Sequence, residues 1–169
     1  MLKFKFNKNK DEGLSLIEVL VSLSFLSLGL IPLFGIIVSS INLSTRIKNN
    51  LIAANLAQEG IEVVRAMRDK AWMDDAAYDR DLTPGDSLVS WDSNVLTAYD
   101  PTVYMKVDPN TGIYSQTGGI DTIFKRRINI TKIPSSCNCE VGVVSDVTWI
   151  EKNQTKEILV ESHLLNWGQ

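Results

Sequence analysis

Residues 14–41 form an apolar run broken only by serines, two glycines, one proline and a single charged residue, Glu18. No comparable run recurs in the chain. About 20 helical residues cross a hydrocarbon core of about 30 Å, so residues 17–40 are long enough to span a membrane. Beyond them the pattern turns amphipathic. Leu43, Ile47, Leu51, Ala54, Ala57, Ile61, Val64, Met67 and Ala71 recur at a helical spacing, while Arg46, Lys48, Asn50, Glu59, Glu62 and Arg65 largely fill the other face. The spacing predicts one helix continuing to about Trp72, with its apolar stripe as the seam for a folded body. Gly60 costs a helix about 1 kcal/mol relative to alanine, so it marks close packing or a slight bend.

The pattern changes again after the helix. Residues 69–86 carry Asp74, Asp75, Asp79, Arg80 and Asp81 and then the turn pair Pro84-Gly85, which reads as a surface connection. Asp108-Pro109-Asn110-Thr111-Gly112 lies between short extended runs at 103–107 and 113–115 and reads as a hairpin turn. The last third alternates with period two. Phe124, Ile128 and Ile130 alternate with Lys125, Arg127, Asn129 and Thr131. Val141, Val143, Val147 and Trp149 share one face, and Ile158, Val160 and Leu164 oppose Glu157, Glu161 and His163. A turn over residues 151–154 joins the last two strands. The expected fold class is α+β: a long N-terminal transmembrane helix packed on a C-terminal three-stranded antiparallel meander whose apolar face the helical stripe covers.

With 169 residues, 44% hydrophobic and 22% charged, the chain has the composition of one globular domain with an appended element. Charge divides where hydropathy does. Residues 1–13 hold four lysines against Asp11 and Glu12, a net of +2, which leaves −5 on the remainder of a chain whose net charge is −3. An acidic body disfavours direct nucleic-acid binding, which needs a basic face to displace phosphate counterions. A basic leader before an apolar helix fits lysines retained on the cytoplasmic side, although Arg46 and Lys48 blur that asymmetry. The apolar run is too long for a secretory signal peptide. A plain anchor would account for everything but Glu18, because a carboxylate near the start of a membrane helix is costly and calls for a partner.

The residues Gly13-Leu14-Ser15-Leu16-Ile17-Glu18-Val19-Leu20, behind a lysine-rich leader, resemble the processing site of type IV prepilins and pseudopilins. The resemblance implies cleavage by a prepilin peptidase between Gly13 and Leu14, N-methylation of Leu14, and an assembly carboxylate at Glu18. It further implies a leader at 1–13, a transmembrane and filament-core helix at 14–41, an amphipathic helical half at 42–72 and a globular head at 73–169. Many type IV pilins have a kinking proline where this chain has Gly35. Here Pro32 lies three residues earlier and Gly29 precedes it, so residues 29–35 are expected to be a kinked or locally melted point. Leu56-Ala57-Gln58-Glu59-Gly60-Ile61-Glu62-Val63-Val64-Arg65 and the ending 158–167 are similar to PilV-type minor pilins. The partners so implied are other pilin subunits through the N-terminal helix, the prepilin peptidase, the assembly platform, and membrane lipid before assembly. The implied location is the inner membrane with the head outside the cytoplasm, then a surface pilus or periplasmic pseudopilus.

Nothing in the sequence suggests an enzyme or a cofactor. There is no phosphate loop, dinucleotide fingerprint or nucleophile elbow. His163 stands on an expected strand with no second ligand at metal-binding spacing. Asp108 begins a calcium-like D-x-N-x-G, but the twelfth position is Gly119 rather than a bidentate glutamate, and no metal site is expected. Cys137 and Cys139 cannot alone close a zinc site. Outside the cytosol they could form a disulfide, against the strain of so short a separation, and free thiols remain open. Four readings stand: a PilV-type minor pilin, a pseudopilin of a type II secretion or DNA-uptake system, a major pilin, and a membrane-anchored binding protein outside any filament.

Overall fold

The computed structural model describes residues 15–133 and 140–166. It contains one long apolar N-terminal helix, α1 (Leu16–Met73), followed by an antiparallel sheet, an α+β arrangement. The chain divides into two compact units, residues 1–46 and 47–169.

In the second unit, residues 47–73 of α1 bury one face against the sheet. Ala53, Leu56, Ala57, Gly60, Ile61, Val64, Met67 and Ala71 are buried, as are Val63 and Arg68. The expected stripe is shorter than its sequence pattern. Leu43, Ile47 and Leu51 are 57%, 58% and 61% exposed, and cover begins at Ile52 and Ala53. Helical periodicity reports which residues share a face, not whether a partner reaches that face.

The sheet has five strands in the order β2-β1-β6-β7-β8: β1 (Gly85–Leu88), β2 (Thr97–Ala98), β6 (Lys125–Ile133), β7 (Glu140–Glu151) and β8 (Gln154–Leu165). The expected three-stranded meander is β6-β7-β8, in register from Lys125↔Thr148 and from Trp149↔Lys156. Its tight turn places Lys152 and Asn153 at φ of 50° and 61°, the left-handed pair that matches strand twist in two-residue hairpins. The meander acquires two further strands, because β1 pairs with the free edge of β6 from Gly85↔Ile130 and β2 pairs with β1. These additions are held by backbone hydrogen bonds, and strands so short carry no readable alternation. The connection at 69–86 is likewise more than surface, since Tyr78 and Leu82 enter the core.

A second, three-stranded sheet comprises β3 (Lys106–Val107), β4 (Tyr114–Ser115) and β5 (Ile120–Asp121), ordered β4-β3-β5. The β3–β4 hairpin encloses the expected Asp108–Gly112 turn, in which Gly112 N donates to the Asp108 carbonyl (2.8 Å) and Gly112 has φ 72°. Met105 N donates to the Phe124 carbonyl (2.8 Å), which ties this hairpin to the start of β6.

Two clusters make up the core. One gathers Ile61, Val64 and Met67 with Ile128, Ile130, Val141, Val143 and Leu164, and the other Ala53, Leu56 and Ala57 with Met105, Phe124, Val147 and Trp149. Between them lies Arg126, whose side chain is fully buried. It donates to the Leu56 carbonyl (2.8 Å), to Glu59 Oε1 (2.9 Å) and to the Val89 carbonyl (2.7 Å). Burial pushes its pKa down, and the Glu59 carboxylate opposes that shift. Gly60 sits directly above. A Cβ there would lie 2.6 Å from Ser145 Oγ, 2.7 Å from Ile128 Cδ1 and 3.3 Å from Arg126 Cδ, so close packing is the role of this glycine.

Gly60→Ala should therefore destabilise the protein although it improves helix propensity. Overpacking costs about 1–3 kcal/mol against a propensity gain of about 1 kcal/mol. A thermal melt with an unchanged or raised Tm would show that the helix can lift off the sheet without penalty. A fragment of residues 42–169 should fold without detergent and give a mixed helix and strand circular dichroism spectrum, because its core needs nothing N-terminal to Ile52. Aggregation, or a purely helical spectrum, would contradict that independence.

Candidate membrane and assembly helix

In the first unit, residues 16–46 of α1 bury nothing. Leu16, Ile17, Phe25, Leu28, Ile31, Phe34, Ile37 and Ile41 are all exposed, and the apolar side chains surround the helix rather than forming a stripe. A helix that is apolar all round needs an apolar environment on every side. α1 is long and apolar enough to cross a membrane, and it lies near the N-terminus.

Four of its polar side chains turn inward onto their own helix. Ser24 Oγ donates to the Leu20 carbonyl and Ser27 Oγ to the Leu23 carbonyl, both at 2.8 Å. Asn42 Nδ2 and Thr45 Oγ1 do the same toward Val38 and Ile41. These hydroxyls and amide are satisfied without water, which suits them to lipid or to other helices.

Glu18 is the one charged residue described in this stretch before Arg46, and it lies in the first turn of α1. The amides of Glu18 and Val19 donate to the Ser15 carbonyl at 2.9 and 3.2 Å. A carboxylate in that position is favoured by the positive end of the helix dipole. The order Ser15-Leu16-Ile17-Glu18 also has the capping-box spacing, in which a glutamate three residues after a serine closes the helix start. That signal is present in the sequence and offers Glu18 a local role in closing the helix start. Gly13 and Leu14, the expected cleavage and methylation positions, lie outside the described residues.

α1 continues as helix through Gly29, Pro32 and Gly35. Pro32 has no amide proton to offer the Leu28 carbonyl, but one missing bond is a small defect within a 58-residue helix. An alanine-sized side chain at either glycine would meet nothing within 4 Å, which leaves the surface open there.

The other residues singled out by sequence do not assemble into one site. His163 is exposed on β8, with Nδ1 2.7 Å from Glu140 Oε1 and Nε2 3.4 Å from Glu161 Oε1. The acidic connection is neutralised locally: Arg80 holds Asp74 and Asp81, and Lys132 holds Asp79. The Arg80 hydrogen bond keeps the Asp81 carboxyl below its usual range. Asp108 accepts from Asn110 N at 2.8 Å, and that backbone bond lowers its pKa too. It borders an open cleft of about 540 Å³ with Trp91 and Asp92. Among the described residues, no three His, Cys, Asp or Glu side chains converge as metal ligands would. Cys137 and Cys139 lie outside the described residues.

Sequence reasoning missed Arg126. It occupies the inward position between Phe124 and Ile128, where period two asks for an apolar residue, and a charged side chain there reads as a solvent position. The alternation itself was the available signal. No family model, curated protein or solved structure matches this chain.

Proposed function

We propose that this chain is a structural subunit of a type IV pilus or pilus-like filament, most similar to PilV-type minor pilins. A lone carboxylate in the first turn of α1, whose residues 16–45 are otherwise uncharged and apolar on every side, is the observation that carries the reading. A helix meant only for lipid gains from that charge no more than closure of its first turn. In a bundle of like helices an unpaired carboxylate costs several kcal/mol, so it must protonate or find a cation. Cleavage after Gly13 would create one at the amine of Leu14. The amine of one subunit pairing with Glu18 of its neighbour would set axial register, because a shifted subunit leaves both charges unmatched.

Length supports the same reading. Exposed apolar residues run from Leu16 to Leu43, about 40 Å of helix at 1.5 Å per residue, against a hydrocarbon core of about 30 Å. Further apolar side chains at Ile47 and Leu51 are also uncovered. Neighbouring subunits would cover what lipid does not. In this reading the leader stays cytoplasmic, the head lies outside the cytoplasm, and the peptidase and assembly platform act on the N-terminal helix. The capping-box spacing favours a second reading, a membrane-anchored head in which Glu18 only closes its helix.

Intact-mass measurement on membrane-extracted protein should find residues 14–169 carrying one added methyl group. A mature chain still beginning at Met1 would overturn the filament reading. Glu18→Gln separates the two roles of the carboxylate, since glutamine can complete a capping box but cannot pair with an amine. It should be cleaved normally, while its amount in sheared filaments falls at least about tenfold, the equivalent of 1.4 kcal/mol for a lost charge pair. Wild-type incorporation of the glutamine variant would leave Glu18 a helix cap.

A further inference from the structure

Asp146 is out of place for a carboxylate. On β7 the side chains of Val143, Ser145, Val147 and Trp149 face the core, so Asp146 belongs to the opposite face of the sheet. Its side chain is nevertheless only 7% exposed. Directly across on β6 lies Arg127, and directly across on β8 lies Leu159. Asp146 Oδ2 accepts from Arg127 Nη2 at 2.9 Å, but Oδ1, equally buried, has no hydrogen-bond partner.

The surrounding charges do not supply one. Arg127 is shared with Asp86 of β1, 3.6 Å away, which also accepts from Asn129 Nδ2. Lys125, diagonal on β6, donates to the Pro101 carbonyl and lies over the Tyr104 ring, 4.3 Å from its centre. On β7 itself the same-face neighbours are Val144 and Thr148. The diagonal positions on β8 are Glu157 and Glu161, and Glu161 lies 3.4 Å from His163 Nε2. Of these, the charge of Glu157 acts to raise the Asp146 pKa. One arginine thus serves two carboxylates, and a third, Glu157, stands at a diagonal position on the next strand.

Two ionised carboxylates can only accept hydrogen bonds and repel each other, whereas one proton between them turns the orphan oxygen into a donor. We propose that Asp146 and Glu157 form a proton-sharing pair across β7 and β8, a binding site for one proton that tightens this hairpin on acidification. In the protonated state Asp146 Oδ1–H donates to the Glu157 carboxylate while Oδ2 keeps its bond from Arg127. Burial, and then the charge of Glu157, raise the Asp146 pKa against the pull of Arg127.

The sign of the pH dependence follows. A carboxyl group whose pKa is raised on folding binds its proton more tightly in the folded state, so its contribution is complete below the ordinary carboxylate range and is lost as pH rises through the folded value. This opposes the effect of Asp81, Asp100 and Asp108, whose lowered pKa values favour the folded state as pH rises out of the acid range.

The test is a set of melts of the full chain in detergent between about pH 3 and pH 8. Asp146→Asn mimics the protonated acid, with its carbonyl toward Arg127 and its amide toward Glu157. The asparagine variant should exceed the wild-type Tm by about 2–4 °C at pH 8, and the gap should close as the pH falls to about 3. Glu157→Gln should narrow the same gap, because its amide can donate to an ionised Asp146. Carbon-13 titration of the wild-type Asp146 carboxyl should place its midpoint above the ordinary aspartate value of about 3.9. Parallel pH profiles for the three proteins, an ordinary midpoint, or failure of the asparagine variant to fold would each overturn the proposal.

Discussion

The second unit depends on how a charged side chain is accommodated beneath a helix. Arg126 projects from the centre of β6 toward α1, and its guanidinium fastens the Leu56 carbonyl and the Glu59 carboxylate of the helix to the Val89 carbonyl beyond β1. Burying a guanidinium is costly unless its donors are used, and here three hydrogen bonds are made, two to one turn of α1 and one to the segment after β1, while Nε has no hydrogen-bond partner. Gly60 is the geometric counterpart. With no side chain on the helix at that point, the backbone can come close enough for Ser145 and Ile128 to pack against it. The apolar clusters flanking Arg126 supply burial, while the guanidinium fixes the register in which they meet.

Chemistry separates the two units. Residues 47–73 of α1 present a stripe to a sheet, and their other face carries Glu62 and Arg65, which pair at 2.6 Å. Residues 16–46 present apolar groups in every direction and satisfy three of their hydroxyls internally. The first arrangement is complete within one chain. The second is complete only when lipid or other helices surround it, and this need, together with one carboxylate at its start, makes the N-terminal helix the functional candidate rather than any cleft in the sheet-bearing unit.

Polar groups on the sheet follow a comparable economy. Arg80 and Lys132 neutralise the acidic connection, and Arg127 bridges β1 and β7 through Asp86 and Asp146. Where a cation is shared between two acids, as at Arg127, one carboxylate oxygen is left over, and a buried leftover acceptor is the structural condition for a proton site.

The order of elements was legible in the sequence because the hydrophobic period changes from continuous to helical to alternating along the chain. The same reading located the turn at Lys152 and Asn153, the hairpin at 108–112, and the inward residues of β6, β7 and β8. It could not foresee β1 and β2, whose pairing is made by backbone groups common to every residue. Nor could it tell that Leu43, Ile47 and Leu51 lack cover while Tyr78 and Leu82 have it, since a pattern names a face but not what meets it. Arg126 and Asp146 are the sharpest cases. By composition both read as solvent-facing, and both are buried, because whether a charge meets water depends on neighbours distant in sequence. The sequence by itself determined the apolar helix, its solitary Glu18 and the strand period, all properties of local spacing; only the tertiary structure decided which charges are enclosed, because enclosure arises when separate segments come together.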